Sequence, residues 1–102
     1  MVFIYSTFDN AEEAQKIGAQ LVEKRLAACI NIWHIGSIYR DNGDVKQNKE
    51  VAMLIKTVEI KYADIERHLN KNHGYEVPCI AMFKTIRLNA EYKEWLAQCV
   101  AM

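Results

Sequence analysis

The spacing of hydrophobic and polar positions divides the chain into strands and helices with no low-complexity tract or Pro/Gly-rich linker between them. Residues 2–8 are β-branched and aromatic and predict a first strand. Asp9 or Asn10 then offers an N-cap, with Glu12 or Glu13 three residues on as a capping box requires. The helix that follows repeats Ala14, Ile17, Gly18, Leu21 and Val22 at three- and four-residue spacing. It leaves Glu12, Gln15, Lys16, Glu23 and Lys24 to water and ends near Arg25.

From Ala27 to Arg40 the chain is rich in Ile, with Trp33 and Tyr39, and predicts a second strand. Asn42-Gly43 fits a two-residue type I′ turn, whose two central residues both need positive φ, and Val45 to Thr57 returns as the partner strand. That turn pairs Arg40 with Val45, Tyr39 with Lys46 and, further in, Ile30 with Ile55. Twelve residues at about 3.3 Å each give arms of roughly 40 Å. A 100-residue domain has a radius of gyration of about 13 Å, so the hairpin outreaches its own domain unless Gly36 bends it. Ile38, Tyr39 and Val45 lie in the outer half, where free strand edges invite pairing with another chain. Oligomerisation through the hairpin is the expectation; a shorter hairpin with a solvated, hydrophilic tip is the plainer alternative.

A second amphipathic helix after Thr57 turns Ile65 and Leu69 inward and closes at Asn72-His73-Gly74, where Gly74 suits the C′ position. Val77 to Ile86 predicts a last strand, with the single proline, Pro78, near its start. Asn89 is placed to cap a final helix whose apolar face is Tyr92, Trp95, Leu96, Cys99 and Val100. The order is βαββαβ plus a terminal helix: an α+β, ferredoxin-like arrangement of a four-stranded antiparallel sheet with two helices on one face.

At 102 residues, 51% hydrophobic, there is room for one domain with a modest core. Thirteen basic residues balance thirteen acidic ones, which argues against a nucleic-acid partner. No apolar run approaches the roughly 20 residues that span a bilayer, and the amino terminus reads as a strand rather than a signal peptide. Cys29, Cys79 and Cys99 are odd in number and widely spaced, which fits buried, reduced thiols and a cytoplasmic location.

No hydrolase signature and no glycine-rich phosphate loop is present. His68 and His73 are five apart and do not share a helical face, while His34 has no neighbouring ligand in sequence. The plain reading of His34 is a sheet residue satisfied locally, and of His73 a cation at a helix C-terminus. Softer metals such as copper favour thiolate and imidazole, so a site assembled between subunits stays open. Lys56, a charge at the inner end of a long apolar strand, is either a snorkelling strand-end lysine or one presented to an anionic ligand.

Several blocks taken together resemble the CutA family of divalent-cation tolerance proteins. They are Lys24-Arg25-Leu26-Ala27-Ala28-Cys29-Ile30-Asn31, Ser37-Ile38-Tyr39, Glu50-Val51 with Lys56-Thr57, His73-Gly74-Tyr75-Glu76-Val77-Pro78, and Tyr92-Lys93-Glu94-Trp95-Leu96. The resemblance runs end to end, covering residues 1–102 as one CutA-like domain. It implies a homotrimer whose long hairpins extend the sheets across the subunit interfaces, with no enzymatic activity. It also implies a copper or other divalent-cation connection through a first-strand cysteine and paired histidines. In this chain the cysteine position is Ser6 and the histidine pair falls on Asn72 and His73, leaving His73 as the metal ligand. Gly74, Cys79, Arg40 and Asp41 also depart from the family pattern, which favours a preserved trimer with an altered or lost small-ligand site. Cys79 could replace the lost thiolate. The expected site residues are Lys56 and Tyr75 for a ligand and His73 for a metal ion, at subunit interfaces. The alternative is a PII-like trimeric signalling module that binds a small anion or nucleotide.

Overall fold

Strand β1, Val2–Phe8, alternates between fully and partly buried residues at every step, because both faces of the sheet around it are covered. The computed structural model describes residues 1–101. Val2, Ile4, Ser6 and Phe8 point to the face under the first two helices, and Phe3, Tyr5 and Thr7 to the other.

Helix α1, Ala11–Glu23, starts where the Asn10 side chain accepts the Glu13 N–H at 2.8 Å, so Asn10 rather than Asp9 is the N-cap. Ala14, Ile17, Gly18 and Leu21 are buried as the spacing predicts, whereas Val22 lies at the rim and is 43% exposed. Arg25 stops the helix in the left-handed region at φ 59°. Its N–H reaches the Val22 carbonyl and that of Leu26 the Leu21 carbonyl, the paired bonds of a Schellman motif with arginine where glycine is usual.

Strands β2, Cys29–Asp41, and β3, Asp44–Thr57, form the long hairpin. Asn42 at φ 51° and Gly43 at φ 86° make the turn that Asn-Gly predicts. The register is the expected one, with Arg40 opposite Val45, Tyr39 opposite Lys46 and Ile30 opposite Ile55. Gly36 pairs with Lys49 in an unbroken ladder, so no bulge interrupts the arms. The molecule accordingly measures 46 × 26 × 21 Å, its long axis matching the roughly 43 Å that thirteen paired positions span.

A short 3₁₀ turn, Glu59–Lys61, leads into α2, Tyr62–Asn72, which buries Ile65 and Leu69. The expected left-handed C′ glycine does not occur. His73 leaves the helix extended (φ −71°, ψ 140°), and among the glycines positive φ is found at Gly43 alone. Strand β4 is Ala81–Lys84, much shorter than the expected Val77–Ile86, and pairs with β1 from Tyr5 opposite Ala81 to Val2 opposite Lys84. Pro78 has no N–H to extend that ladder, and the Thr7 carbonyl on β1 is taken by the His73 ring.

Helix α3, Ala90–Val100, begins after Asn89, whose backbone carbonyl accepts from Lys93 while its side chain makes no cap bond. Leu96 and Val100 are buried, and Trp95 stays 44% exposed. Lys56, pointing to the opposite face from Ile55, lies over the Tyr92 ring at 5.9 Å, so α3 sits on the face away from α1 and α2. The sheet order β2-β3-β1-β4, all antiparallel, is the ferredoxin-like order. No helix among the described residues is long and apolar enough to cross a membrane.

Ser6 sits in β1 opposite Met53, fully buried, and its hydroxyl has no hydrogen-bond partner. A buried unpaired hydroxyl costs about 1–3 kcal/mol relative to an apolar group. Ser6→Ala is therefore expected to raise the midpoint of thermal unfolding, with a gain of about 1 kcal/mol per chain after the small void is counted. Calorimetry showing an unchanged or lower midpoint would mean that Ser6 has a partner after all.

Candidate functional site

The end of α2 delivers His73 into the core beside the last residues of β1, where its side chain has no exposed surface. Its Nδ1 accepts the Tyr75 backbone N–H at 3.0 Å, which leaves the proton on Nε2, and Nε2–H donates to the Thr7 carbonyl at 2.8 Å. The ring stacks on Phe8 with centroids 4.4 Å apart and planes at 13°. Both nitrogens are thus committed to backbone, and the neutral imidazole joins the start of the 73–75 segment to β1.

Glu13 in the first turn of α1 lies against the same segment without a hydrogen bond to it. One carboxylate oxygen lies 4.0 Å from His73 Nδ1, buried and without a hydrogen-bond partner. The other lies where a Cβ on Gly74 would come within 2.5 Å, so only glycine fits there without displacing Glu13. Position 74 thus meets the tip of a flexible side chain rather than a left-handed backbone.

Tyr75 lies beside His73, with ring centroids 5.0 Å apart, and its hydroxyl donates to the Glu50 carboxylate. Burial and that hydrogen bond, together with the negative charges of Glu50, Asp9 and Glu13, push its ionisation far above the usual tyrosine range. A hollow of about 490 Å³ opens beside this pair on the sheet face away from α1, lined among others by Thr7, Asp9, Tyr39, Glu50, Tyr75 and Cys79. It is an acidic recess with hydroxyls and one thiol.

The structure brings His73 and Tyr75 together but leaves Lys56 apart. Lys56 is six positions along β3 from Glu50, about 20 Å within one chain, and faces Tyr92 instead. His34 is exposed on β2. Among the described residues no group of three or more His, Cys, Asp or Glu side chains converges to hold a metal ion. The donors facing the hollow, chiefly carboxylate and hydroxyl oxygens, match a hard divalent cation better than copper, whose preferred imidazole is here turned to the backbone.

The sequence reading missed Asp9 and Glu50. Asp9 was weighed only as a cap, and giving the cap to Asn10 frees it for the hollow. Glu50 carried a signal: a charge at the start of the Val51–Ile55 run that shares the parity of Lys56 and therefore the open face.

Because Tyr75 ionises late in the folded state, the stability it contributes is fully present below the unfolded tyrosine value of about 10. That stability is lost as the pH climbs from there through the raised folded value. Ultraviolet difference titration of Tyr75→Phe against the unaltered chain should remove one late-ionising tyrosine and flatten the alkaline fall in stability. Identical alkaline titrations would show that Tyr75 is not held by Glu50.

With this geometry in hand, comparison with known proteins places the chain. The profile of the CutA1 divalent ion tolerance protein family matches residues 2–99. The divalent-cation tolerance protein CutA of Thermotoga maritima is 43% identical over 98% of this chain and 99% of its own length. Among solved structures, CutA1 of Pyrococcus horikoshii OT3, in a variant form, superposes with a TM-score of 0.96 at 29% identity, covering all of both chains. A CutA of Archaeoglobus fulgidus, described as a periplasmic divalent cation tolerance protein, gives 0.96 at 36% identity over 99% of this chain and all of that one. The chain belongs to the CutA1 divalent ion tolerance protein family.

Proposed function

We propose that the chain works as a non-enzymatic homotrimer that binds a divalent cation or small ligand in the Tyr75–Glu50 hollow as part of the response to divalent metal ions. The observation that carries this reading is the hairpin. Its outer half keeps β2 as a free edge, with Ile38 71% and Val45 64% exposed on one face and Tyr39 40% exposed on the other. A free edge flanked by apolar side chains calls for further strands, and sister chains supply them without a second gene product. The names of the relatives supply the connection to divalent cations.

Within the trimer, Tyr75 and Glu50 shape the ligand recess, and Lys56 reaches a recess only from a sister chain. His73 is a positioning residue for Tyr75, since binding a metal would cost it one of its two backbone bonds. Cys79 is exposed and Cys29 and Cys99 are half-buried, not buried as expected, and three unpaired cysteines fit a reducing, cytoplasmic setting. The PII-like alternative is not favoured, because the family match spans nearly the whole chain.

Light scattering after gel filtration should give three chain masses, and Trp33→Asp on the open face should give one. Calorimetric titration with Mn²⁺ and Cu²⁺ should show at least tenfold weaker Mn²⁺ binding by Glu50→Gln with the trimer intact. A monomeric unaltered chain defeats the assembly, and equal Mn²⁺ affinity in both proteins defeats the assigned site.

A further inference from the structure

The opposite side of the molecule carries a second hollow that the CutA reading does not use. It lies between the end of α1 and the outer face of α2, has a volume of about 260 Å³ and is lined by Lys24, Leu26, Asp64, Arg67, His68 and Lys71. Three fixed cations surround it against one carboxylate. That carboxylate, Asp64, is already bonded to Arg67 at 2.7 Å. Among the described residues neither Lys24 nor Lys71 has a carboxylate within 4.0 Å, so two positive charges face the hollow uncompensated.

A polar network spans the two helices here. His68 Nε2 lies 2.8 Å from Gln20 Oε1, and His68 Nδ1 lies 3.5 Å from both Lys24 Nζ and Asn72 Nδ2. Ammonium and amide groups only donate, and the Asn72 amide is oriented by its 2.8 Å bond to the His68 carbonyl. The imidazole is therefore neutral, with Nε2–H given to Gln20 and its Nδ1 lone pair turned toward Lys24. The charged groups facing this ring are Lys24 from α1 and Lys71 from its own helix, with the Asp64–Arg67 pair on the rim. Partial burial, then Lys24, then Lys71, hold its protonation below the ordinary histidine range. The same positive field that repels a proton attracts an anion.

We propose that this hollow is an anion site for a small phosphorylated molecule, with Lys24 and Lys71 binding the phosphate oxygens, Arg67 at the rim and His68 reporting occupancy. A phosphate dianion suits two unpaired ammonium groups at the edge of a recess too large for a halide. The hollow shares no lining residue with the Tyr75–Glu50 hollow.

The test is nuclear magnetic resonance of the isotope-labelled chain, following the histidine rings during titration with inorganic phosphate, glycerol phosphate or chloride at matched ionic strength. Phosphate should shift His68 saturably and raise its titration midpoint, because a bound dianion stabilises the imidazolium. Buried His73 should not move. Lys24→Gln and Lys71→Gln, both at exposed positions, should each weaken binding at least tenfold, and Lys71→Arg should retain it. Equal responses to phosphate and chloride, unchanged affinity in both glutamine variants, or binding to phosphatidylglycerol vesicles without binding to either free phosphate would each overturn the proposal.

Discussion

Unequal strand length is the constraint on which the rest of this structure depends. β3 has 14 residues, but β1 pairs with it only from Val51 to Thr57. Beyond Val51 the sheet narrows to the β2–β3 ribbon, and an isolated two-stranded ribbon is at best marginally stable in water. The inner half is anchored by helices on both faces. The outer half is held by the Asn42-Gly43 turn, the ladder itself and surface contacts such as Lys46 with Asp41 at 2.9 Å. Exposed ion pairs of that kind contribute little, and cover for this ribbon is what the proposed assembly would supply.

The candidate site sits where the sheet narrows, and the coincidence has a physical reason. When β1 stops at Phe8 opposite Val51, the backbone beyond it turns away into α1 and leaves a step in the sheet surface. His73 fills the side of that step by stacking on Phe8 and bonding Thr7, which places Tyr75 against Glu50, the first β3 residue without a β1 partner. Recess and hydrogen bonds are therefore consequences of the same strand ending. A longer β1 would fill the space that Asp9 and Tyr75 now border.

Local chemistry explains what could be read from the sequence. The hairpin register was legible because one turn type fixes every pairing beyond it, and α1 was legible because its stripe and its Asn10 cap lie within a few residues of each other. The length of β4 was not, because the backbone group that ends it is captured by a side chain 66 positions away. Gly74 misled for a related reason. Its place after a helix suggested a left-handed cap, whereas its backbone is not left-handed and its near neighbour is the Glu13 carboxylate, which only the tertiary fold brings close. The pairing of Tyr75 with Glu50 was equally invisible, since the sequence showed two polar residues 25 positions apart and no reason to join them.

Net charge conceals the arrangement that matters most. Thirteen positive and thirteen negative side chains sum to zero, yet the fold sorts them. Burial, the Glu50 hydrogen bond and the charges of Glu50, Asp9 and Glu13 hold the Tyr75 proton on, while burial, then Lys24 and Lys71, keep a proton off His68. Beside burial, the two rings thus meet local fields of opposite sign. Screening limits each such field to about 10 Å at ordinary ionic strength, so both potentials are local ones. Composition alone argues against a nucleic-acid surface but does not register these two local potentials, which arise only when helix ends and strand ends are brought together.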